Sequence, residues 1–296
     1  LPFATAYLFT IYFIFRLINK LPKTSFFDLA FVMLGIAWAI SLRIGGAILI
    51  PYVVMFVGIY YLTKKDFYTK SGFGKSLKQS LIILGFIIAG YFIGFILWPY
   101  ALKDPINNPI EALTSMTNYQ MFINQLFEGE IITSNEFPWY YGLKYMLLTS
   151  PIIVFLGIFL FIPTLPFRKD SLKKYLFYFY LFFAFAFPIA YTIYQGSNLY
   201  GGWRHLLWTY SPLVVLSAGG FDYLLNRKNK YIKYGTLAIM LVLLWHPVRH
   251  TFKNHPHQYV YYNQLVGGVN GAYGEYEMDY YYHGLRAGAE WLIENE

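Results

Sequence analysis

The sequence contains no cysteine, and only 13% of its 296 residues are charged. Without cysteine there is no disulfide, no thiolate metal ligand and no cysteine nucleophile, and the redox compartment is left open. Long polar stretches are also lacking, because none exceeds about 50 residues, which argues against separate soluble domains. Apolar residues (57%) and aromatic residues (22%) are abundant, and the mean hydropathy is +0.41. This composition is typical of an integral membrane protein.

Apolar runs long enough to cross a hydrocarbon core of about 30 Å recur along the chain. They predict an all-α polytopic membrane protein with about eight transmembrane helices. The predicted crossings are residues 3–19, 27–42, 45–63, 78–99, 147–163, 174–194, 204–225 and 231–247. We therefore expect a transmembrane domain over residues 1–247 and an exoplasmic segment over residues 248–296. Because the sequence begins inside an apolar run, we expect it to be an interior fragment.

Basic residues indicate which loops face the cytoplasm, since lysine and arginine stay preferentially on that side. The loops assigned to it are residues 16–28, 64–78, 164–174 and 222–233. They hold 16 of the 23 basic residues and four acidic ones, which leaves 7 basic and 11 acidic residues for the other face. Loop 100–146 and the C-terminal segment are then exoplasmic. The net charge of +8 is explained without a nucleic-acid partner.

One arginine interrupts the second and third crossings, in "ISLRIGGAILIPY". Arginine is costly at mid-membrane and paired glycines loosen a helix, so we expect the chain to break at Arg43, Gly45 and Gly46, in an exoplasmic turn. Arg43 there would either extend to the headgroup layer or bind the phosphate of a lipid. The sequence leaves both alternatives open.

Three further exoplasmic features are candidates for binding. Loop 100–146 carries apolar residues at roughly helical spacing, which predicts an amphipathic helix lying in the interface. These apolar residues are Ile110, Leu113, Met116, Met121, Phe122 and Leu126. Trp139, Tyr140 and Tyr141 then form either an aromatic belt or a surface for sugar or lipid. Arg204 and His205 follow two glycines, which suits either a phosphate or sugar site or an interfacial anchor.

The histidines of the C-terminal segment do not predict a metal site. A proline separates His255 from His257, and no pair of histidines four residues apart on a helix is expected. We expect no cofactor, while a dependence on a divalent ion is left open. The segment would instead form a small polar subdomain with a turn at Gly267 and Gly268.

Four sequence stretches, in order, resemble bacterial glycosyltransferase family 39. They are "LGIAWAISLRIGGAILIPY", "FEGE" followed by "PWYYGLKYMLLTSP", "YGGWRHLLWTYSPLVVLSAGG" and "HPHQYVYYNQLVGGVNGAYGEYEMDYYYHGLRAGAEWL". This family is related to the protein O-mannosyltransferases and has the membrane-embedded GT-C fold. The resemblance runs from about residue 28 to residue 293, and four weak motifs in order are fairly specific.

The resemblance implies a transferase of the bacterial inner membrane that takes a sugar from a polyprenyl-phosphate carrier and passes it to a protein, lipid or glycan. By the same likeness Arg43 would lie near the carrier phosphate, and Arg204 and His205 would line the donor site. The family's catalytic aspartate would precede Leu1, so no catalytic base is named. Two alternatives stay open: a transporter or flippase for lipid-linked glycans, and a non-catalytic membrane subunit of a larger assembly.

Overall fold

The structure is a computed structural model that describes residues 2–117, 122–279 and 282–295. Most of the described chain is helical. The α-helices are α1 (Pro2–Lys20), α2 (Phe26–Leu42), α3 (Leu49–Leu62), α4 (Lys70–Ile93), α5 (Pro99–Lys103), α6 (Asn107–Thr117), α7 (Tyr141–Thr149), α8 (Ile152–Thr164), α9 (Leu172–Tyr194), α10 (Tyr210–Leu225), α11 (Lys230–Lys253), α12 (Gly268–Ala272) and α13 (Gly284–Asn295). Short 3-10 helices cover Ile44–Ile48, Lys65–Tyr68, Leu165–Phe167, Arg204–Thr209 and Gln264–Val266, and two strands are β1 (Asn124–Phe127) and β2 (Glu130–Thr133).

The chain forms two compact units. The first unit comprises Leu1–Tyr119 with Asp170–Ala184, and the second unit comprises Gln120–Lys169 with Phe185–Glu296. The predicted boundary between residues 247 and 248 separates a transmembrane domain from an exoplasmic segment, and it stays a prediction. That boundary falls inside α11, and the C-terminal segment belongs to the second unit together with residues far from it in sequence.

Five of the described helices are long and apolar enough to cross a membrane. They are Pro2–Lys20, Ile44–Leu62, Lys70–Ile93, Leu172–Tyr194 and Lys230–Lys253. A sixth is added if the pair Tyr141–Thr149 and Ile152–Phe167, which is bent by 106°, counts as one span. The predicted class of helical membrane protein agrees with these helices, whereas the number of eight crossings stays a prediction.

Two predicted crossings have different bounds because local signals outweigh the apolar pattern. Helix α4 begins at Lys70, not near residue 78, because the Thr69 hydroxyl accepts a hydrogen bond from the Gly72 N–H and caps the helix. Residues 70–77 of the predicted loop 64–78 are therefore helical. The crossing predicted over 147–163 is divided at Pro151, which separates α7 from α8.

Close helix contacts in the first unit depend on glycine. A Cβ atom at Gly35 of α2 would lie 2.5 Å from the Thr10 hydroxyl oxygen of α1, and one at Gly90 of α4 would lie 2.7 Å from the Met33 carbonyl oxygen of α2. Small residues allow such approaches between membrane helices, where packing replaces the hydrophobic effect as the driving force. The core beneath includes Tyr7, Ile14, Leu17, Ile36, Ile40, Tyr52 and Phe56.

The predicted break at Arg43 is present. Helix α2 ends at Leu42, Arg43 is extended (φ −163°, ψ 133°), and a 3-10 helix follows. A Cβ atom at Gly46 would lie 2.5 Å from the Ala39 carbonyl carbon, so this glycine allows the chain to fold back on α2. Gly46 is thus buried in packing and is not a surface for a ligand.

Loop 100–146 contains less helix than predicted. Helix α6 covers Ile110, Leu113 and Met116, whereas Leu126 lies in β1; Met121 lies outside the described residues. Strands β1 and β2 pair antiparallel around Glu128 and Gly129, whose φ angles are 57° and 79°. This left-handed turn suits a two-residue hairpin, so the amphipathic helix predicted for this loop does not extend to Leu126.

Candidate functional site

A cavity of about 300 Å³ lies entirely within the second unit. Its lining residues include Tyr145 and Thr149 from α7, Arg204 from the stretch before α10, and Tyr261 and Glu277 from the C-terminal segment. Three stretches separated by more than 50 residues each therefore meet around one space. These lining residues include a basic residue, an acidic residue, a threonine and several aromatic residues.

A buried hydrogen-bond hub holds the loop that contains Gly201 and Gly202 in place. The Tyr141 hydroxyl donates to the Gln125 side-chain oxygen at 3.1 Å, and that oxygen also accepts from the Gly201 N–H at 2.7 Å. The Gly202 N–H donates to the Tyr141 oxygen at 3.0 Å. Gly201 and Gly202 have φ angles of 65° and 67°, which glycine adopts without strain. The loop that presents Arg204 is thereby attached to both β1 and α7.

The C-terminal segment is attached to the end of α7 by one buried asparagine. The Asn263 side-chain amide donates to the carbonyl oxygens of Leu147 (2.6 Å) and Ser150 (2.8 Å). The Asn263 backbone N–H donates to the carbonyl oxygen of Leu148 (2.8 Å). The last carbonyls of a helix have no partner within the helix, so Asn263 supplies the donors that they need. This contact keeps residues 259–262 against the cavity.

The hairpin positions Glu277. The Glu277 N–H donates to the Leu126 carbonyl at 3.1 Å, and the Gly129 N–H donates to the Glu275 carbonyl at 3.1 Å. The segment around Tyr276 thus runs beside β1, and Phe127 and Tyr276 pack in the core. The quoted motifs "FEGE" and "GEYE" are in contact here, although about 150 residues separate them.

Arg204 lies at the cavity with a defined neighbourhood. Its guanidinium carbon is 4.6 Å from the centre of the Tyr200 ring, and its Nε donates to His205 Nε2 at 3.4 Å. The His205 ring is edge-on to Tyr200 at 4.7 Å. Of the two residues predicted here, Arg204 lines the cavity, and His205 contacts Arg204 and Tyr200. A guanidinium stacked on a tyrosine still presents in-plane N–H donors to an anion.

The three predicted aromatic residues have different environments. Trp139 is 69% exposed and Tyr140 is half-buried, so both rings present surface to a ligand or to lipid. Tyr141 is only 1% exposed, and its hydroxyl belongs to the hub described above. Its ring packs in the core of the second unit, which leaves no surface for a sugar.

Arg43 belongs to the first unit, whereas the other predicted site residues belong to the second. Arg43 is half-buried at the break after α2. Met116 of α6 packs against Gly45, since its methyl carbon would lie 3.3 Å from a Cβ at that glycine. A joint site of Arg43 with Arg204 stays a prediction.

Sequence reasoning missed Glu277 and Tyr261, because nothing local indicates that a distant segment returns to Arg204. Burial raises the pKa of Tyr261 to about 12, with a further contribution from Tyr210, so Tyr261 is a protonated hydrogen-bond donor at neutral pH. Its oxygen lies 3.2 Å from His246 Nδ1. The cavity wall can therefore donate as well as accept hydrogen bonds.

A pair of histidines was also missed. His246 and His250 are four residues apart on α11, which continues to Lys253 beyond its predicted end at residue 247. The expectation that no such pair exists was wrong, and both rings lie edge-on to Tyr261. Across residues 2–117, 122–279 and 282–295, however, no group of three or more His, Asp or Glu side chains is placed to hold a metal ion.

Comparison with protein-family models, with curated proteins and with solved structures found no match for this chain. The resemblance to glycosyltransferase family 39 is therefore carried by the quoted motifs alone. What the structure adds is that parts of these motifs, around Phe127, Arg204 and Glu277, lie in the same unit.

Proposed function

We propose that this protein is a membrane glycosyltransferase that moves a sugar from a polyprenyl-phosphate carrier to a protein, lipid or glycan on the exoplasmic face of a bacterial inner membrane. The observation that carries the proposal is that Arg204 and Glu277 line one aromatic-walled cavity of about 300 Å³. This volume is at the small end for ligand pockets, which suits one sugar ring with its phosphate better than an oligosaccharide.

The chemistry of the wall fits such a donor. A guanidinium binds phosphate through parallel N–H bonds, and it stabilises the charge that the phosphate gains as the sugar leaves. The carboxylate of Glu277 would accept hydrogen bonds from sugar hydroxyls, Tyr259 and Tyr261 would offer aromatic surface, and Tyr261 would also offer a donor. The proposal gives these residues binding and charge stabilisation, and it assigns no residue to proton abstraction.

The test is a transfer assay with the complete protein in proteoliposomes. The donors are radiolabelled polyprenyl-phosphate mannose, glucose and N-acetylglucosamine, and the readout is the label that leaves the lipid fraction. Arg204→Ala should lower kcat/KM about 100-fold, because one transition-state contact to a developing charge is removed. Lys253→Ala is the matched control, since Lys253 is an exposed basic residue of the same unit away from the cavity. Equal rates for both variants would contradict the assignment of Arg204.

One observation favours a second function, the transport of lipid-linked glycans. Transporters use broken helices, and this chain has a bend of 106° between α7 and α8 as well as the break at Arg43. The two functions differ in the fate of the glycosidic bond. A fluorescent polyprenyl-phosphate sugar that crosses the bilayer intact would favour transport, whereas its cleavage would favour transfer.

A further inference from the structure

The first unit has a cluster of basic side chains at one end. Lys20 is the last residue of α1, Lys64 lies two residues after α3, and Lys173 is the second residue of α9. Helices α1 and α9, and α3 with its preceding turn, are all long and apolar enough to cross a membrane. Their ends therefore define the depth of a membrane surface, and the ammonium groups lie at that depth.

A single tyrosine organises two of these lysines. The Tyr60 hydroxyl donates to the Leu21 carbonyl at 2.6 Å, and the ring is only 3% exposed. Lys64 Nζ lies 5.1 Å from the ring centre and Lys173 Nζ lies 5.9 Å from it. Lys173 Nζ also donates to the Asn19 carbonyl at 2.6 Å. Two like charges are thus held around one ring by specific contacts.

The carboxylates nearby do not neutralise these two lysines. Asp28 is fully buried, and it accepts from Arg16 Nε at 2.7 Å and from Lys20 Nζ at 2.6 Å. Asp170 pairs with Lys174 at 2.9 Å. Within the described part of the chain, no ion pair joins a carboxylate to Lys64 or Lys173. Two positioned ammonium groups therefore remain for an external anion.

We propose that Lys64, Lys173 and Tyr60 form a binding site for the phosphate of an anionic glycerophospholipid. Ammonium groups at a membrane surface attract such headgroups, with about 1 kcal/mol for each lysine. Exposed Leu62 and Leu172 stand beside the two lysines, so acyl chains would find apolar surface next to the charges. The site does not rest on the proposed sugar donor, because none of its three residues lines the cavity at Arg204.

The experiment compares lipid binding by native mass spectrometry, with phosphatidylglycerol against phosphatidylcholine at equal ratio. The test variant is Lys64→Gln with Lys173→Gln, and the control is Lys228→Gln with Lys233→Gln, which changes the net charge equally at exposed lysines of the second unit. The test variant should lose about 30-fold in affinity for phosphatidylglycerol, as expected for two such charges. The control should keep its affinity within about twofold.

Two results would overturn the proposal. Equal loss in the two variants would mean that net charge, and not this site, attracts the lipid. Displacement of phosphatidylglycerol by millimolar inorganic phosphate would assign the site to a soluble anion. Because the exchanged side chains are not core residues, unchanged melting temperatures are expected and would show that the comparison concerns folded protein. An unchanged transfer activity in the test variant would separate this site from the donor site.

Discussion

Replacing Asn263 with alanine would test how the C-terminal segment is attached to the second unit. The substitution removes the side-chain amide that donates to the carbonyls of Leu147 and Ser150, and the oxygen that accepts from the Leu265 N–H at 3.0 Å. The backbone bond to Leu148 remains. Asn263 is fully buried, so water does not readily replace the lost donors.

The size of the effect follows from the two carbonyls left without a donor. An unsatisfied buried polar group costs about 1 to 3 kcal/mol, so the pair costs roughly 3 kcal/mol in the free energy of unfolding. For a chain of this size that corresponds to a fall in melting temperature of roughly 6 to 12 °C. Asn263→Asp should fall at least as far, because a carboxylate would then face carbonyl oxygens.

Thermal denaturation in lipid nanodiscs, followed by tryptophan fluorescence, measures this difference. The matched control is Asn226→Ala, which removes an exposed amide that bonds the Asp222 carbonyl one turn earlier at 3.0 Å. We expect the control to melt within about 2 °C of the parent protein. If Asn263→Ala melts with the control, the carbonyls at the end of α7 are satisfied in another way and the attachment does not depend on this side chain.

Two further predictions concern packing and acidity. Gly220→Ala should lower the yield of folded protein, because the new Cβ atom would lie 2.1 Å from the Gly157 carbonyl oxygen. Gly235→Ala is the control and should leave the yield unchanged, because Gly235 has open space around it. Fluorescence-detected gel filtration of both variants measures the yield. Burial raises the pKa of Asp279, but hydrogen bonds from the Tyr259 hydroxyl and from the Gly284 and His283 N–H groups outweigh it and hold the pKa below its usual value. The stabilisation of α13 by the Asp279 carboxylate is therefore fully present above about pH 4, and it is lost as the pH falls through the lower pKa of the folded state. Asp279→Asn should speed tryptic cleavage within α13 at pH 7. An unchanged cleavage rate would refute this role.

Several elements could be predicted because their signals are local. A run of apolar residues long enough for a membrane predicts a helix wherever it occurs, and α1 and α9 have nearly their predicted bounds. The break at Arg43 was also predictable, since a charged side chain beside paired glycines is unfavourable in a helix whatever surrounds it. These features depend on the free-energy cost of placing a side chain in lipid, which follows directly from the residue type.

Other elements could not be predicted because their determinants lie far along the chain. Leu126 fits a helical spacing, yet it pairs in a strand because residues 275–277 lie beside it and the turn at Gly129 suits a hairpin. The sequence predicted an accessible ring for Tyr141, yet the ring is buried and its hydroxyl donates a hydrogen bond to Gln125. Each decision needed a hydrogen-bond partner from another stretch of chain.

By itself, the sequence determined that this is a helical protein with apolar segments long enough to span a membrane, and where an arginine must interrupt them. Only the tertiary structure decided that Arg204 shares a cavity with Glu277 and Tyr261, and that two lysine side chains contact the ring of Tyr60. The physical reason is that the transfer of apolar groups into lipid is a property of each segment. A binding site, in contrast, is a set of directional contacts that exists only when distant segments meet.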